Sequence, residues 1–311
     1  MRWLPVALAV LAVLAACSEK ETGDGQQATG NGQQATAEKE KEKEKETVGC
    51  TARKFAETVD VKEASGAVWV PESFGLPAHV VVVGDSGTKG AFAVVDAESG
   101  APLGKGSLPL GEGVSDDLEG FARVGDVYHG LVSNGRVRTW RRSGATAFEL
   151  VGAPYELHPE LVCPGPRSSN CRFDFEGLCL APNPGGGACD GYAASRAKGA
   201  LVCVTVQPDG TLAADPNRVV NVAPPFVLSG CAVAPEGDLL YAGLNGLAAN
   251  AVIRVAAWRD PATARPRPLG PAGTGFCEAE AVAPGGVLYR FSDTKTAPSL
   301  MSALSCPAAP P

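Results

Sequence analysis

Carboxylates recur in this chain at spacings that could hold a cation. Asp117 and Glu119, Asp174 and Glu176, and Glu278 and Glu280 form three pairs, each with a single residue between its members. A spacing of two puts both members on one face of an extended strand. Glu63 stands two residues before Ser65, and Val227 two before Ser229, at corresponding places. Seven carboxylates turned toward one axis repel unless they are partly protonated, paired with arginine or bridged by a cation. Calcium takes about six to eight oxygen ligands, whereas zinc favours nitrogen and sulfur. The metal ligands expected from this pattern are Asp117, Glu119, Asp174, Glu176, Glu278 and Glu280, with calcium (Ca2+) the cofactor they imply. The competing reading is structural: the same side chains would accept backbone N–H bonds from neighbouring strands and turns.

Other chemistries leave little trace. The sequence has no G-x-S-x-G nucleophile elbow, no phosphate-binding loop, no H-E-x-x-H helix, no EF-hand loop and no C-x-x-C zinc spacing. Gly84-Asp85-Ser86-Gly87 matches a serine-protease tetrapeptide but lacks a companion histidine motif, and reads as a turn. His79, His129 and His158 are isolated from one another and from any motif. A formal net charge of −7 excludes a generic basic nucleic-acid binder. Ten cysteines in 311 residues point to an oxidising compartment.

The elements that would position the carboxylates repeat five times. Anchors at Gly66, Gly120, Gly177, Gly230 and Ala281 are 54, 57, 53 and 51 residues apart. Each is followed by an apolar run that ends in a polar turn, at Asp85, Asn134, Arg196, Asn245 and Asp293. These five turn residues are the expected ligand-binding rim. A third run carries β-formers, as in Phe92–Val95 and Leu201–Val206, and Gly, Pro, Asn and Asp punctuate the whole. Short strands at a fixed period describe four-stranded blades, and a ring of blades is a β-propeller. The expected fold is all-β, a single propeller of five blades over 50–306, or six if 143–174 hides a degenerate blade. The last repeat stops after its third strand, so Thr51–Val61 should supply the fourth and close the ring, leaving no open edge. Cys50 and Cys306 sit at the two seams of that closure and are expected to bond. Cys163 and Cys171 flank one short loop and are expected to bond to each other, while Cys179, Cys189, Cys203, Cys231 and Cys277 stay unassigned.

The N-terminus reads as an address. Arg2 precedes an apolar stretch from Leu4 to Leu14, too short for the roughly 20 residues of a membrane span. Leu14-Ala15-Ala16-Cys17 resembles the bacterial lipobox. That resemblance implies a signal peptide over 1–16 and acylation (palmitate among the chains) of Cys17. The lipid bilayer is then a partner, and Ser18 implies sorting to the outer membrane. Residues 17–49 carry Gln/Gly repeats and a strict Glu/Lys alternation from Glu38 to Glu46, with no apolar face to bury, and read as a disordered tether. Residues 307–311 read as a disordered Pro-rich tail.

Asp117-Leu118-Glu119-Gly120 and Asp174-Phe175-Glu176-Gly177 resemble the D-x-E-G repeats of phytase-like (esterase-like) propeller proteins. Gly191–Val202, a strand followed by Arg196 and Gly199-Ala200-Leu201, is similar to a pattern in uncharacterised relatives of that group. The resemblance spans roughly 63–295. It implies a propeller and, for some relatives, calcium and phosphate-ester hydrolysis, with Arg196 placed to hold phosphate. Ser65 and Ser229 depart from the Glu of the repeat. Two functions follow. The first is a membrane-anchored, monomeric lipoprotein propeller that presents a face to a protein or small-molecule ligand in the cell envelope. The alternative is a calcium-dependent phosphoesterase.

Overall fold

The computed structural model describes residues 49–113, 115–163, 172–245, 250–272, 277–294 and 298–306. Five antiparallel sheets stand around one axis, and no α-helix occurs among the described residues. The first blade is Ala64–Val70, His79–Gly84, Ala91–Asp96 and Pro102–Ser107; the second is Leu118–Val124, Val127–Val132, Arg136–Gly144 and Ala147–Leu150. The third is Phe175–Leu180, Gly191–Ser195, Ala200–Val206 and Leu212–Asn221; the fourth is Leu228–Val233, Leu240–Asn245, Asn250–Ala256 and Arg265–Pro271. The fifth uses Cys277–Ala283, Val287–Ser292 and Ser299–Ser305, and takes its outer strand from Thr51–Ala52. Thr51 pairs with Ser305 and Ala52 with Leu304, while Thr58 and Val59 pair further along with Leu300 and Ser299. The start of the fold thus closes its end. The described part of 143–174 holds no sixth blade: Ala147–Leu150 is the outer strand of the second blade, and Tyr155–Glu156 also pairs with its third strand.

Blades stack face to face, so their middle strands lose water on both sides. All six residues of His79–Gly84 are buried, Val80 to Val83 completely. Each such valine contributes about 1.5–3 kcal/mol relative to an exposed one. Around the axis, each innermost strand packs against the next, and the fifth against the first. The anchor glycines permit that approach. A Cβ on Gly120 would fall 2.3 Å from the Leu178 backbone nitrogen, and one on Gly177 would fall 2.9 Å from the Cα of Gly230.

Every innermost strand carries a register shift at its start, between Ala64 and Gly66, Leu118 and Gly120, Phe175 and Gly177, Leu228 and Gly230, and Cys277 and Ala279. Such a bulge re-aims the extra side chain. In the fifth blade the anchor is therefore Ala279 and not Ala281. Glu278, rather than Glu280, takes the place of Glu119 and Glu176.

Three disulfides join described residues. Cys50–Cys306 staples the ring closure, Cys179–Cys231 ties the innermost strands of the third and fourth blades, and Cys189–Cys203 lies within the third. Cys171 lies outside the described residues, and so does its pairing with Cys163. Cys277 is a buried thiol. The Cys50–Cys306 bond closes a separation of 256 residues, which in the chain-entropy view stabilises by about 5 kcal/mol. Replacing both cysteines by alanine should lower the denaturation midpoint accordingly, as urea titration of the double variant would show. An unchanged midpoint would mean that strand pairing alone secures the seam.

Candidate cation site at one mouth of the channel

The antiparallel register gathers two sets of residues at one end of the axis. Innermost strands begin there and second strands end there, as in the pairs Ala64↔Gly84, Leu118↔Val132, Phe175↔Ser195, Leu228↔Leu244 and Cys277↔Ser292. Backbone bonds fix the match: Asp85 N–H donates to Glu63 C=O, Ser133 to Asp117, Arg196 to Asp174, and Asn245 to Val227. The rim residue of the second blade is therefore Ser133 and not Asn134. Asn134 is buried, with its Oδ1 accepting the Arg136 N–H and its C=O the Cys163 N–H. Nothing in the sequence separated Ser133 from Asn134, since both are small polar turn residues.

Two adjacent blades supply the tightest convergence. Asp85 of the first and Asp117 and Glu119 of the second place carboxylate oxygens within 4.8 Å of one another. Ser133 donates its hydroxyl to Asp117, and the Ser86 N–H donates to Asp85. Glu119 is 5% exposed and makes no hydrogen bond or ion pair among the described residues. Burial, and then the neighbouring charges of Asp117 and Glu278, push Asp85 up to about 8. Burial with Glu176, Asp85 and Asp117 drives Glu119 well above the usual carboxylate range. The cause is common to both: negative charges crowd a dry mouth that holds too few cations.

The third blade treats its equivalent pair differently. Arg196 Nε lies 2.7 Å from Asp174 Oδ2 and its Nη1 2.9 Å from Glu176 Oε1. Burial and the charge of Glu278 still outweigh Arg196, and Glu176 sits at about 9. Asp174 adopts a left-handed backbone (φ 49°), as does the corresponding Glu63 (φ 46°), a conformation Asp tolerates better than most residues.

In the fifth blade, Glu278 faces the mouth and is raised to about 7 by burial and Asp293, with Arg196 opposing. Glu280 does something else. It pairs with the fully buried Arg290 at 3.3 Å and lies against Gly230 and Gly243, where a Cβ would collide with its carboxylate. It is therefore a filler between the fourth and fifth blades. Asn245 Oδ1 accepts the Cys277 N–H at 3.1 Å and so ties the same two blades. Beneath the mouth, a cavity of about 10 Å³ lies among Ser65, Glu119, Glu278 and Glu280, enough for one water. The far end of the channel is mainly apolar, lined by Trp69, Phe121, Leu178, Leu180 and Val282 with Arg123 beside them.

The donor set suits a hard cation. Three carboxylates at 4.8 Å or less offer oxygen only, and water can complete a calcium sphere there. His79 is no part of it: buried away from the mouth, its Nδ1 is 2.7 Å from Pro77 O, and Arg142 approaches its Nε2 at 2.5 Å.

No family model matches the sequence, and no curated protein matches it. Among solved structures, the chain is similar to the glutaminyl cyclase of Myxococcus xanthus, with 16% identity and a TM-score of 0.48 over 83% of this chain and 98% of that one. It is also similar to the WD40 repeats of RRP9, with 11% identity and a TM-score of 0.43 over 82% of this chain and 99% of the other. At such identities and TM-scores the likeness assigns no residue a role.

Proposed function

We propose that this protein is an envelope-anchored propeller whose acidic channel mouth binds a divalent cation of the calcium class and presents it to a ligand. One observation carries the reading. Asp85, Asp117 and Glu119 converge from two blades, with Glu119 buried and unpaired among the described residues. A buried carboxylate without a partner is costly, and a bound cation offsets that cost. Calcium titration of chelator-stripped protein should raise the melting temperature with concentration, by mass action. A melting curve unmoved up to millimolar calcium would end this reading.

Phosphate-ester hydrolysis is the less favoured reading. Two of the three guanidinium nitrogens of Arg196 are already engaged by Asp174 and Glu176, so the residue expected to hold phosphate is turned to carboxylates.

Anchoring rests on the Cys17 motif, which lies outside the described residues. Cys50, where the N-terminal segment joins the propeller, sits beside the 284–286 hairpin at the apolar end, opposite the carboxylates. Cys17→Ala should leave the chain unprocessed or mislocalised, as mass analysis of the membrane fraction would reveal; a normally cut, soluble product would point to simple secretion.

A further inference from the structure

Most of the mouth is acidic, but the rim of the third blade carries surplus positive charge. Arg172 and Lys198 are exposed there, each over the ring of Phe173, at 5.5 and 5.6 Å from its centroid. Neither makes an ion pair or a hydrogen bond among the described residues. The carboxylates of the same rim, Asp174 and Glu176, already have Arg196 as their counter-ion. Two like charges therefore share one ring with nothing of opposite sign between them, in a chain whose formal net charge is −7.

The loop from the third blade to the fourth brings an apolar edge to this rim. Pro224, Pro225 and Phe226 are exposed in succession, Phe226 at 72%. The loop is anchored: the Phe226 N–H donates to Arg196 O at 2.7 Å, and Val222 and Ala223 both donate to Gly199 O at 3.0 Å. Lys198 lies in sequence between those two acceptors. Phe226 also takes a left-handed backbone (φ 67°), which is rare for a bulky residue. An aromatic ring thus stands in water on a strained, anchored backbone, close to two cations without counter-ions. Strain of this kind clusters where ligands are held, and aromatic and arginine side chains are what interfaces concentrate.

We infer that this rim is a docking surface for an acidic polypeptide segment that also carries apolar side chains. Its carboxylates meet Arg172 and Lys198, and its apolar side chains cover Phe226 and the two prolines. Charge complementarity selects the partner, and the exposed ring narrows the choice. A phosphate-rich polyanion would satisfy the cations but leave Phe226 in water. The inference goes beyond the cation reading and requires no bound ion, because Arg172, Lys198 and Phe226 stand apart from Asp85, Asp117 and Glu119.

The test is fluorescence anisotropy of the full chain with two labelled synthetic peptides of equal length, one alternating Glu with Leu and the other Glu with Ser. Both are measured in chelator and in calcium. The Glu/Leu peptide should bind, more weakly as salt rises, and the Glu/Ser peptide about tenfold less tightly. Replacing Arg172 and Lys198 together by Gln should weaken the Glu/Leu peptide about tenfold. Phe226→Asn should weaken it similarly and leave the melting temperature unchanged or higher, since asparagine accepts a left-handed backbone. Affinity unaltered in either variant overturns the inference, and so does a Glu/Ser peptide that binds as tightly, which would show charge attraction alone. A lower melting temperature for Phe226→Asn also overturns it, by showing that the ring supports the fold. Peptide binding in chelator by a protein that never responds to calcium would end the cation reading and keep this one. A calcium response with no peptide binding up to millimolar concentration would do the reverse.

Discussion

Glu119→Gln is expected to stabilise the metal-free protein and to abolish its response to calcium. Glu119 is buried and unpaired among the described residues, and the carboxylates of Glu176, Asp85 and Asp117 act on it together. Glutamine conserves the shape and cannot ionise, so the crowding of like charge within the mouth falls. It spares the proton that Glu119 must take up on folding, which near pH 7 is worth up to about 3 kcal/mol. The melting temperature of stripped protein should therefore rise by several degrees, and added calcium should move it no further. If Glu119 were a structural acceptor of backbone N–H groups, the same change would lower the melting temperature. That outcome would overturn the cation reading, because it would show that the carboxylate already has the partners it needs.

The second large effect is on pH. Asp85, Glu176 and Glu278 titrate near 8, 9 and 7 in the fold, above the ordinary carboxylate values of the unfolded chain. The folded state thus holds protons that the unfolded state has released. The associated stability is fully present below about pH 4 and is lost as pH climbs through the folded values. His129 runs the other way. Burial pushes it down to about 4, so its contribution is complete above about 6.5 and is lost as pH falls toward 4. The burial-lowered His79 adds in the same direction. Between pH 4.5 and 6.5 the two histidines offset only part of the carboxylates' decline. Above 6.5 only the carboxylates remain, and each proton the fold still holds adds about 1.4 kcal/mol per pH unit to the decline. Stripped protein should lose stability steeply from pH 6.5 to 9, and calcium should flatten that slope while doing little at pH 5. Urea midpoints measured at four pH values, with chelator and with calcium, would show this. A midpoint in chelator that is flat from pH 6.5 to 9 would mean that the mouth carries no strained charge.

Local pattern made the blades legible before any coordinates. Alternating apolar strands, turn residues and a period near 51 to 57 set the five repeats, and the unpartnered strand at Thr51 announced the closure. These are properties of contiguous residues, so they can be read along the chain. The D-x-E pairs were legible for the same reason: a spacing of two fixes a shared face without reference to anything distant.

What converges on those pairs was decided by blade packing. Asp85 joins Asp117 and Glu119 from another blade, at sequence separations of 32 and 34, with nothing in the sequence to link them. Arg196 could have pointed to solvent or to a ligand, and it is the pocket between Asp174 and Glu176 that turns it inward. A bulge at Cys277 rather than two residues later moved Glu278 onto the rim and Glu280 between blades, where Gly230 and Gly243 leave it room. The disulfide Cys179–Cys231 likewise needed the third and fourth blades side by side, and Cys189–Cys203 needed the third blade's own loop and strand brought together. The sequence by itself determined the fold class, the repeat number and the supply of carboxylates, because those follow from local periodicity and residue type. Only the tertiary structure decided which carboxylates meet, which are neutralised and which stay open, because electrostatic environment depends on through-space distance and burial, and neither scales with separation along the chain.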